Sequence, residues 1–556
     1  MPDSFLLLSQ ISATTGKWYQ FTQRDPAILI PFVAYMLGVF AIAIVAHRYQ
    51  RGADFEVEYY VAGRSFGPWV LALSWVATLA SGGSFLGYPS LVYSYGWTIA
   101  FWVSGSMVTA IAGLGLVGKR INRLARQTGA LTLVDLLRDR FRSDAIGSVY
   151  AMMIVVLTTV YLMAQFIAGA RILQSILGTS YEMGLILFAV SVVAYTTYGG
   201  FRAVSWTDTM QGIVMIVGVV LLVPFAIHAA GGMREATMKL AERPDPTAQH
   251  RGLAPQQHAY LYGPGPEKVV KEPAGDEQDP ARTENPYLPL SLALSMVLLR
   301  GIGGVLMPTA VPRMLAFRDT RALRRALIIL APYLLLMYGS SLITMNCVWS
   351  LDLKLAPGDS DQAVPEMAKL VAPAWLAGVL IAAPFAAVMS TVDSALLVVS
   401  GSVVRDLMQK TFQLKLSERS QRGLAYFVTA AAGALVLTLA FSKPPFLIPL
   451  VIHYTGGSAS VLFWPSLATL YWKRATSAGI LAGLLGGGFI YVAVVLFKPF
   501  DGFVNFHPFM YAFPASAILV WFGSLLTARQ RNEDLEFYFG RHEDGESSPD
   551  RAADLP

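Results

Sequence analysis

Between Pro26 and Thr527 the sequence returns repeatedly to apolar stretches of about 20 residues, the length an α-helix needs to cross the hydrocarbon core of a bilayer. Lipid offers no hydrogen-bond partner to a bare backbone, so such stretches must fold as helices. The spacing predicts spans near 26–47, 66–92, 97–118, 145–173, 181–199, 204–230, 286–312, 322–349, 374–404, 420–441, 446–471, 475–497 and 507–527. The expected product is an all-α integral membrane protein of about thirteen transmembrane helices. Only 14% of the 556 residues are charged, where a soluble chain carries about 25%.

The net charge of +6 could suggest nucleic acid as a partner, but the cations are distributed otherwise. They gather in alternate short loops: Arg48, Arg51 and Arg64; Lys119 to Arg142; Arg202; Arg313, Arg318, Arg321, Arg324 and Arg325; Arg405 to Arg422; Lys473 and Arg474; Arg529 and Arg531. This is the positive-inside pattern, and it places the N-terminus outside and the C-terminus in the cytoplasm. The expected location is the cell membrane, with lipid as the surrounding partner, no nucleic acid, and a monomer or weak oligomer as the working unit. Residues 1–25 read as an extracellular segment without a signal peptide's basic start and cleavage site. Residues 231–285, rich in Pro, Gly, Gln and charge, read as a long, poorly ordered extracellular loop, and 528–556 as a polar cytoplasmic tail without a signalling module. A single cysteine, Cys347, excludes an intramolecular disulfide.

Two spans are interrupted. The second holds Ala80-Ser81-Gly82-Gly83-Ser84 and then Gly87 and Pro89; the seventh holds Gly301, Gly303, Gly304, Pro308 and Pro312. Each stands first in a block of five spans, so the two blocks, about 66–230 and 286–471, would be inserted with opposite orientations. Broken helices at matching places in two halves point to a transport site at the bilayer midplane. The alternative for either span alone is that its glycines only let helices pack closely.

Chemistry-bearing residues inside the spans are few. In the ninth span Ala387, Ser390, Thr391, Asp393 and Ser394 share less than half of the helix circumference. That face offers hydroxyls and a carboxylate to a hard cation, with unwound carbonyls of the second span opposite; alternatively the hydroxyls bond back to their own helix. Arg300, immediately before the seventh span's break, could pair with a substrate carboxylate or with a protein carboxylate. Asp208 reads as an N-cap of the sixth span, Arg171 as structural, and His453 as a packed or hydrogen-bonded helix residue. Patterns of catalytic chemistry (GxSxG, HExxH, a P-loop) are absent, so an enzyme is not expected.

Three runs carry a family likeness: Tyr60-Val61-Ala62-Gly63-Arg64-Ser65, the Ala80–Pro89 stretch, and Tyr198-Gly199-Gly200-Phe201-Arg202-Ala203-Val204-Ser205-Trp206-Thr207-Asp208-Thr209-Met210-Gln211. With Ala387-Val388-Met389-Ser390-Thr391 they resemble the sodium:solute symporter family over about residues 26–527. Within it, Phe85–Pro89, Ala382–Ala387 and Phe463-Trp464-Pro465 resemble the pantothenate-transporting branch. The resemblance implies a LeuT-type 5+5 inverted repeat with one extra N-terminal helix and two extra C-terminal helices, importing a small solute with Na⁺ by alternating access. By motif position it puts the main sodium site on the backbones of Ala77, Ala80 and Ala387 and the hydroxyls of Ser390 and Thr391. A second cation position, used by some members, falls on Asp208 with Ser394 and Asp393 nearby. Substrate-lining positions fall on Gly83, Tyr161, Arg300 and Gly304. The proline-transporting relatives carry aromatic residues at Gly83, Arg300 and Gly304 and an acid at Leu79, so the resemblance implies here a larger or anionic solute, such as the carboxylate pantothenate. Two rivals stay open: proton coupling through Asp208 or Asp393, and a transport-deficient sensor of the same fold.

Overall fold

The computed structural model describes residues 26–49, 55–242, 290–351, 360–442, 447–497, 506–530 and 532–540, together with Leu353 and Leu355. Among these it is helical throughout, with no strand and one isolated backbone bridge between Phe66 and Phe317.

The helices that frame the site are α1 (Pro26–Tyr49), α2 (Pro68–Leu79), α3 (Tyr88–Tyr95), α4 (Ala100–Ala112), α5 (Asp144–Leu177) and α6 (Tyr181–Ala229). There follow α7 (Leu290–Ile302), α8 (Val311–Ala316), α9 (Thr320–Cys347), α10 (Ala374–Gly401), α11 (Glu418–Ala440), α12 (Leu447–Ser458), α13 (Ser477–Phe497) and α14 (Phe509–Leu525). Among the described residues eight helices are long and apolar enough to cross a membrane, and Pro68–Leu79 with Gly83–Tyr93, bent by 63°, makes a ninth. Tyr181–Thr197, α7 and α14 are shorter apolar helices. The fifth and sixth expected spans form one element, α6, bent at Gly200, whose φ of 60° is open to glycine at no steric cost.

Burial separates the helices by role. In α10 the apolar window is 89% buried, against 17% for α1 and 28% for α11 and α13. α10 is therefore the central helix, packed by α6, α5 and α1, while α1, α11 and α13 face lipid. Close packing against α1 depends on Gly378, where a Cβ would run into the carbonyl of Ile28. Small residues at such crossings are the general device of helix association in lipid.

Both expected breaks are present. α2 ends at Leu79, Ala80 leaves helical geometry (φ −83°, ψ 86°), and the chain resumes as a wide turn over Gly83–Gly87 before α3. α7 ends at Ile302, and the chain crosses Gly303–Ala310 in turns before the short α8. The bridge between Phe66 and Phe317, with Phe66 N–H donating to Ala316 O and Arg318 N–H to Phe66 O, ties the start of the first broken span to the end of the second.

Two expectations about the non-membrane parts change. The segment expected as loop from 231 opens with a helix, Met233–Ala241, capped in sequence by the Gly231-Gly232 turn. The tail includes a helix, Asn532–Phe539, whose Phe539 ring lies against Arg120 and Arg140 while Arg120 donates to Tyr538 O. The segments 1–25, 243–289 and 541–556 lie outside the described residues.

Candidate functional site

The break after α2 exposes carbonyls that an intact helix would use, and the face of α10 meets it there. Ser390 Oγ donates to Ala77 O at 2.8 Å and is 3.1 Å from Ala387 O; Thr391 Oγ1 donates to Ala387 O at 2.8 Å. Ala77, Ala387, Ser390 and Thr391 are fully buried and Ala80 nearly so. The Thr391 contact is the back-bond within its own helix that hydroxyls commonly make. Ser390 makes one too, but it also reaches across to the broken span. The result is a dry cluster of carbonyl and hydroxyl oxygens, the donor type that hard cations take. The break itself is held open by Gln165 of α5, whose Oε1 accepts from Gly82 N–H at 2.8 Å. A Cβ on Gly82 would lie 2.7 Å from Ala168 Cβ, so α5 approaches the break too closely for any larger residue.

Beside this cluster lies a small cavity whose wall includes Ala80, Ser81, Ser106, Thr109, Tyr161, Arg300, Gly304 and Thr455. Arg300 is the cation of that wall. Its Nε is 3.2 Å from Ser106 Oγ, its Nη1 is 3.4 Å from Thr455 Oγ1, and its guanidinium carbon stands 5.1 Å from the centre of the Tyr88 ring. Among the described residues no carboxylate pairs with it, so the structural ion pair considered from the sequence is not found. Tyr161 stacks on Tyr454 at 4.1 Å between ring centres. Gly304 presses against Thr109, which a Cβ would strike. Gly83, expected beside the solute, is not on this wall; its Cα faces Val451, which a Cβ would meet at 3.0 Å. The break turns Gly83 toward α12, whose Val451 is itself part of the cavity wall.

Asp208 was expected at a helix start, but α6 runs through it without interruption after Gly200. The acid is fully buried and pairs with Arg313, Nη2 to Oδ2 at 2.6 Å. Arg313, counted from the sequence among the cations of a cytoplasmic loop, is likewise fully buried, in α8. An arginine directly after a span predicted to end at 312 reads as a loop cation, whereas the chain re-enters the protein as α8. The available signal was Met314-Leu315-Ala316-Phe317, an apolar run directly after the arginine. Ser394 and Asp393 stand with this pair: Ser394 Oγ accepts from Arg313 Nη2 at 2.7 Å, and Asp393 accepts from Tyr195 OH at 2.8 Å and from Ser394 N–H at 2.6 Å. Ser74 of α2 and Gln165 of α5 also belong to the site and carried no sequence motif that marked them.

His453 bonds Tyr491 through Nδ1 at 2.9 Å, as a packed helix residue would. No group of three or more His, Cys, Asp or Glu able to hold a metal occurs among the described residues.

The model of the sodium:solute symporter family matches residues 59–487. The sodium/pantothenate symporter of Escherichia coli K12 is 32% identical over 489 residues, covering 86% of this chain and 92% of that protein. A high-affinity proline transporter of Bacillus subtilis is 27% identical, covering 88% and 95%. The solved structure of a Na⁺-coupled sialic acid symporter in a substrate-bound, outward-open state superposes with a TM-score of 0.68 at 18% identity, over 91% of this chain and 99% of that one. The fold is thus the LeuT-type arrangement of sodium symporters.

Proposed function

The chain belongs to the sodium:solute symporter family and imports a small solute with Na⁺ across a membrane it spans many times; on that premise we propose that the solute is a carboxylate of pantothenate's size and polarity, held by Arg300. The observation that carries this reading is a guanidinium on a cavity wall with two hydroxyls and a tyrosine face as neighbours and no protein carboxylate among the described residues. Arginine presents a planar fork of donors that matches a carboxylate, and a half-buried cation on a cavity wall without a counter-ion favours an anionic guest. Ser81, Ser106, Thr109 and Thr455 add hydroxyls suited to a polar chain beyond the carboxylate. The likeness to sodium/pantothenate symporters at 32% identity supports the same choice.

The coupling ion is read at the oxygens of Ala77, Ala80, Ala387, Ser390 and Thr391. Ala80 joins the two halves of the site, since it closes the broken helix and also lines the cavity. Sodium bound there would stiffen the break and bias the protein toward the state that accepts solute, which is how one ligand favours another without touching it. A membrane potential near 100 mV then adds ~2.3 kcal/mol per net charge moved inward. The cytoplasmic placement of the C-terminus and the five-plus-five inverted repeat belong to the same reading. No covalent step is involved.

Solute binding to the purified protein tests the carboxylate. Labelled pantothenate should bind in Na⁺ and be displaced by unlabelled pantothenate but not by its alcohol analogue, pantothenol. Equal displacement by the alcohol would remove the role given to Arg300.

A further inference from the structure

Many of the cations at the end of the protein where the tail helix lies are engaged by protein groups. Arg120 donates to Leu470 O and Tyr538 O, Arg126 to Asn122 Oδ1 and Phe317 O, and Arg202 and Arg405 pair with carboxylates. Five others are gathered in one place without such partners. Lys119, Arg123, Arg321, Arg324 and Arg325 are exposed and make no hydrogen bond or ion pair with any of the described residues.

The five come from two helix ends that lie side by side. Gly115, on the continuation of α4 into the helix Lys119–Thr128, packs on α9, and a Cβ there would meet Leu327 Cδ1 at 3.7 Å. Beyond that contact, Asn122 Nδ2 donates to the carbonyls of Met314, Leu315 and Phe317, just ahead of α9. The two helices therefore run in opposite directions, and Lys119 and Arg324 stand at one level, about one turn (~5.4 Å) past the Gly115–Leu327 contact. On each helix the cations share a face with an apolar side chain one turn deeper. Leu116, 70% exposed, precedes Lys119 and Arg123, and Ile328, 73% exposed, follows Arg324 and Arg325. Such side chains on helices of membrane-crossing length lie against acyl chains, which puts the cations at the level of the lipid headgroups.

Cations that only orient the chain could lie anywhere in the loop. These form like-charge pairs four residues apart, Lys119 with Arg123 and Arg321 with Arg325, and three of them stand at the positive end of the α9 dipole. Both arrangements are unfavourable for the helices by themselves. Across 119–128 and 313–347 the sole acid is Asp319, which already accepts from Ala322 N–H and Arg318 Nε.

We propose that this face binds the phosphate of an anionic phospholipid from the surrounding bilayer, one headgroup bridging the two helix ends while its acyl chains lie along Leu116 and Ile328. The lipid supplies the counter-charge that the protein does not. It also ties the continuation of α4 to α9, which begins just past the second broken span.

Binding of labelled dioleoylphosphatidylglycerol to the purified full-length protein in uncharged detergent micelles tests it. Saturable binding is expected, displaced by the unlabelled lipid but not by equal amounts of dioleoylphosphatidylcholine or of glycerol 3-phosphate. The variant Lys119→Gln/Arg321→Gln/Arg324→Gln should lose about 100-fold in affinity, at roughly fivefold per cation. Lys410→Gln/Lys415→Gln/Arg419→Gln removes the same charge from exposed residues around the start of α11 and should leave the affinity nearly unchanged. An equal loss in that control would reduce the effect to net charge. Displacement by phosphatidylcholine would leave only apolar contact, and displacement by glycerol 3-phosphate would make this a site for soluble phosphates. Each of these outcomes, like the absence of saturable binding, overturns the proposal. The substituted positions are exposed, so the variants should fold; if one does not, the competition on the wild type still decides.

Discussion

Ser390 Oγ lies 2.8 Å from the carbonyl oxygen of Ala77, a residue 313 positions earlier in the chain. One sits on the most deeply buried helix, the other at the last turn before a break, and their contact joins the two elements on which an alternating-access carrier would move. A sodium ion bound between them would replace one hydrogen bond by two coordinating contacts. Its departure would leave that hydrogen bond and the 3.4 Å contact between the Thr78 and Ser394 hydroxyls to join the two elements.

Ser390→Ala should therefore raise the sodium concentration for half-maximal uptake by about 10-fold to 100-fold, the effect of losing ~1.5–3 kcal/mol of charge-assisted contact. The alanine fits the helix, so the protein should still reach the membrane. Sodium titration of uptake measures this, and an unchanged midpoint would count against the assigned site.

Arg300→Gln keeps a polar side chain but shortens it and removes the charge. The KM for a carboxylate solute should rise ~10-fold to 100-fold, on the same ~1.5–3 kcal/mol for a charge-assisted bond. Sodium binding should stay within twofold of wild type, because Arg300 is not among the oxygens read as its ligands. A parallel loss of sodium binding would mean that Arg300 supports the fold rather than the solute.

Gln165→Leu should destabilise the break. Its Oε1 is the acceptor for Gly82 N–H, in a place with no exposure to water. Orphaning that donor costs about 1–3 kcal/mol, which a thermal melt of the purified protein will register as a lower midpoint. Gln165→Glu, which retains the acceptor, should fall less far than Gln165→Leu if the bond to Gly82 is what matters.

Arg405 joins the short helix Phe55–Val61, through Glu56, to the helix Leu133–Phe141, through Asp135 at 3.1 Å. The side chains of Arg405 and Asp135 are 8% and 5% exposed, so this pair is not the weak surface kind. Removing one partner leaves an uncompensated buried charge, at about 3–5 kcal/mol. Arg405→Ala should lower the melting midpoint strongly, and adding Asp135→Asn should recover part of the loss. Additive losses in the double variant would show that the two residues act independently.

The all-helical, many-span character and both breaks were legible, though not the exact number of spans, because each rests on a local signal: a run of apolar residues, or Gly and Pro where helix should continue. The hydroxyl face of α10 was legible for the same reason, since 100° per residue is enough to gather Ser390, Thr391 and Ser394. The pairing of Asp208 with Arg313 was not. It joins residues 105 apart through a turn of the chain that no periodicity announces, and an arginine just past a broken span reads as a loop cation until the fold returns it to the interior. The direction Gly83 faces was not legible either. Position in a motif places a residue on the break, but the direction it faces depends on how α12 packs against that break.

Accumulation of labelled pantothenate in proteoliposomes, with membrane potential clamped equally in every condition, tests the coupling and the solute together. Uptake above equilibrium should appear with an inward Na⁺ gradient, vanish when K⁺ replaces Na⁺, and not respond to an inward proton gradient alone. Accumulation driven by protons without Na⁺, or Na⁺-driven accumulation of proline with none of pantothenate, would contradict it.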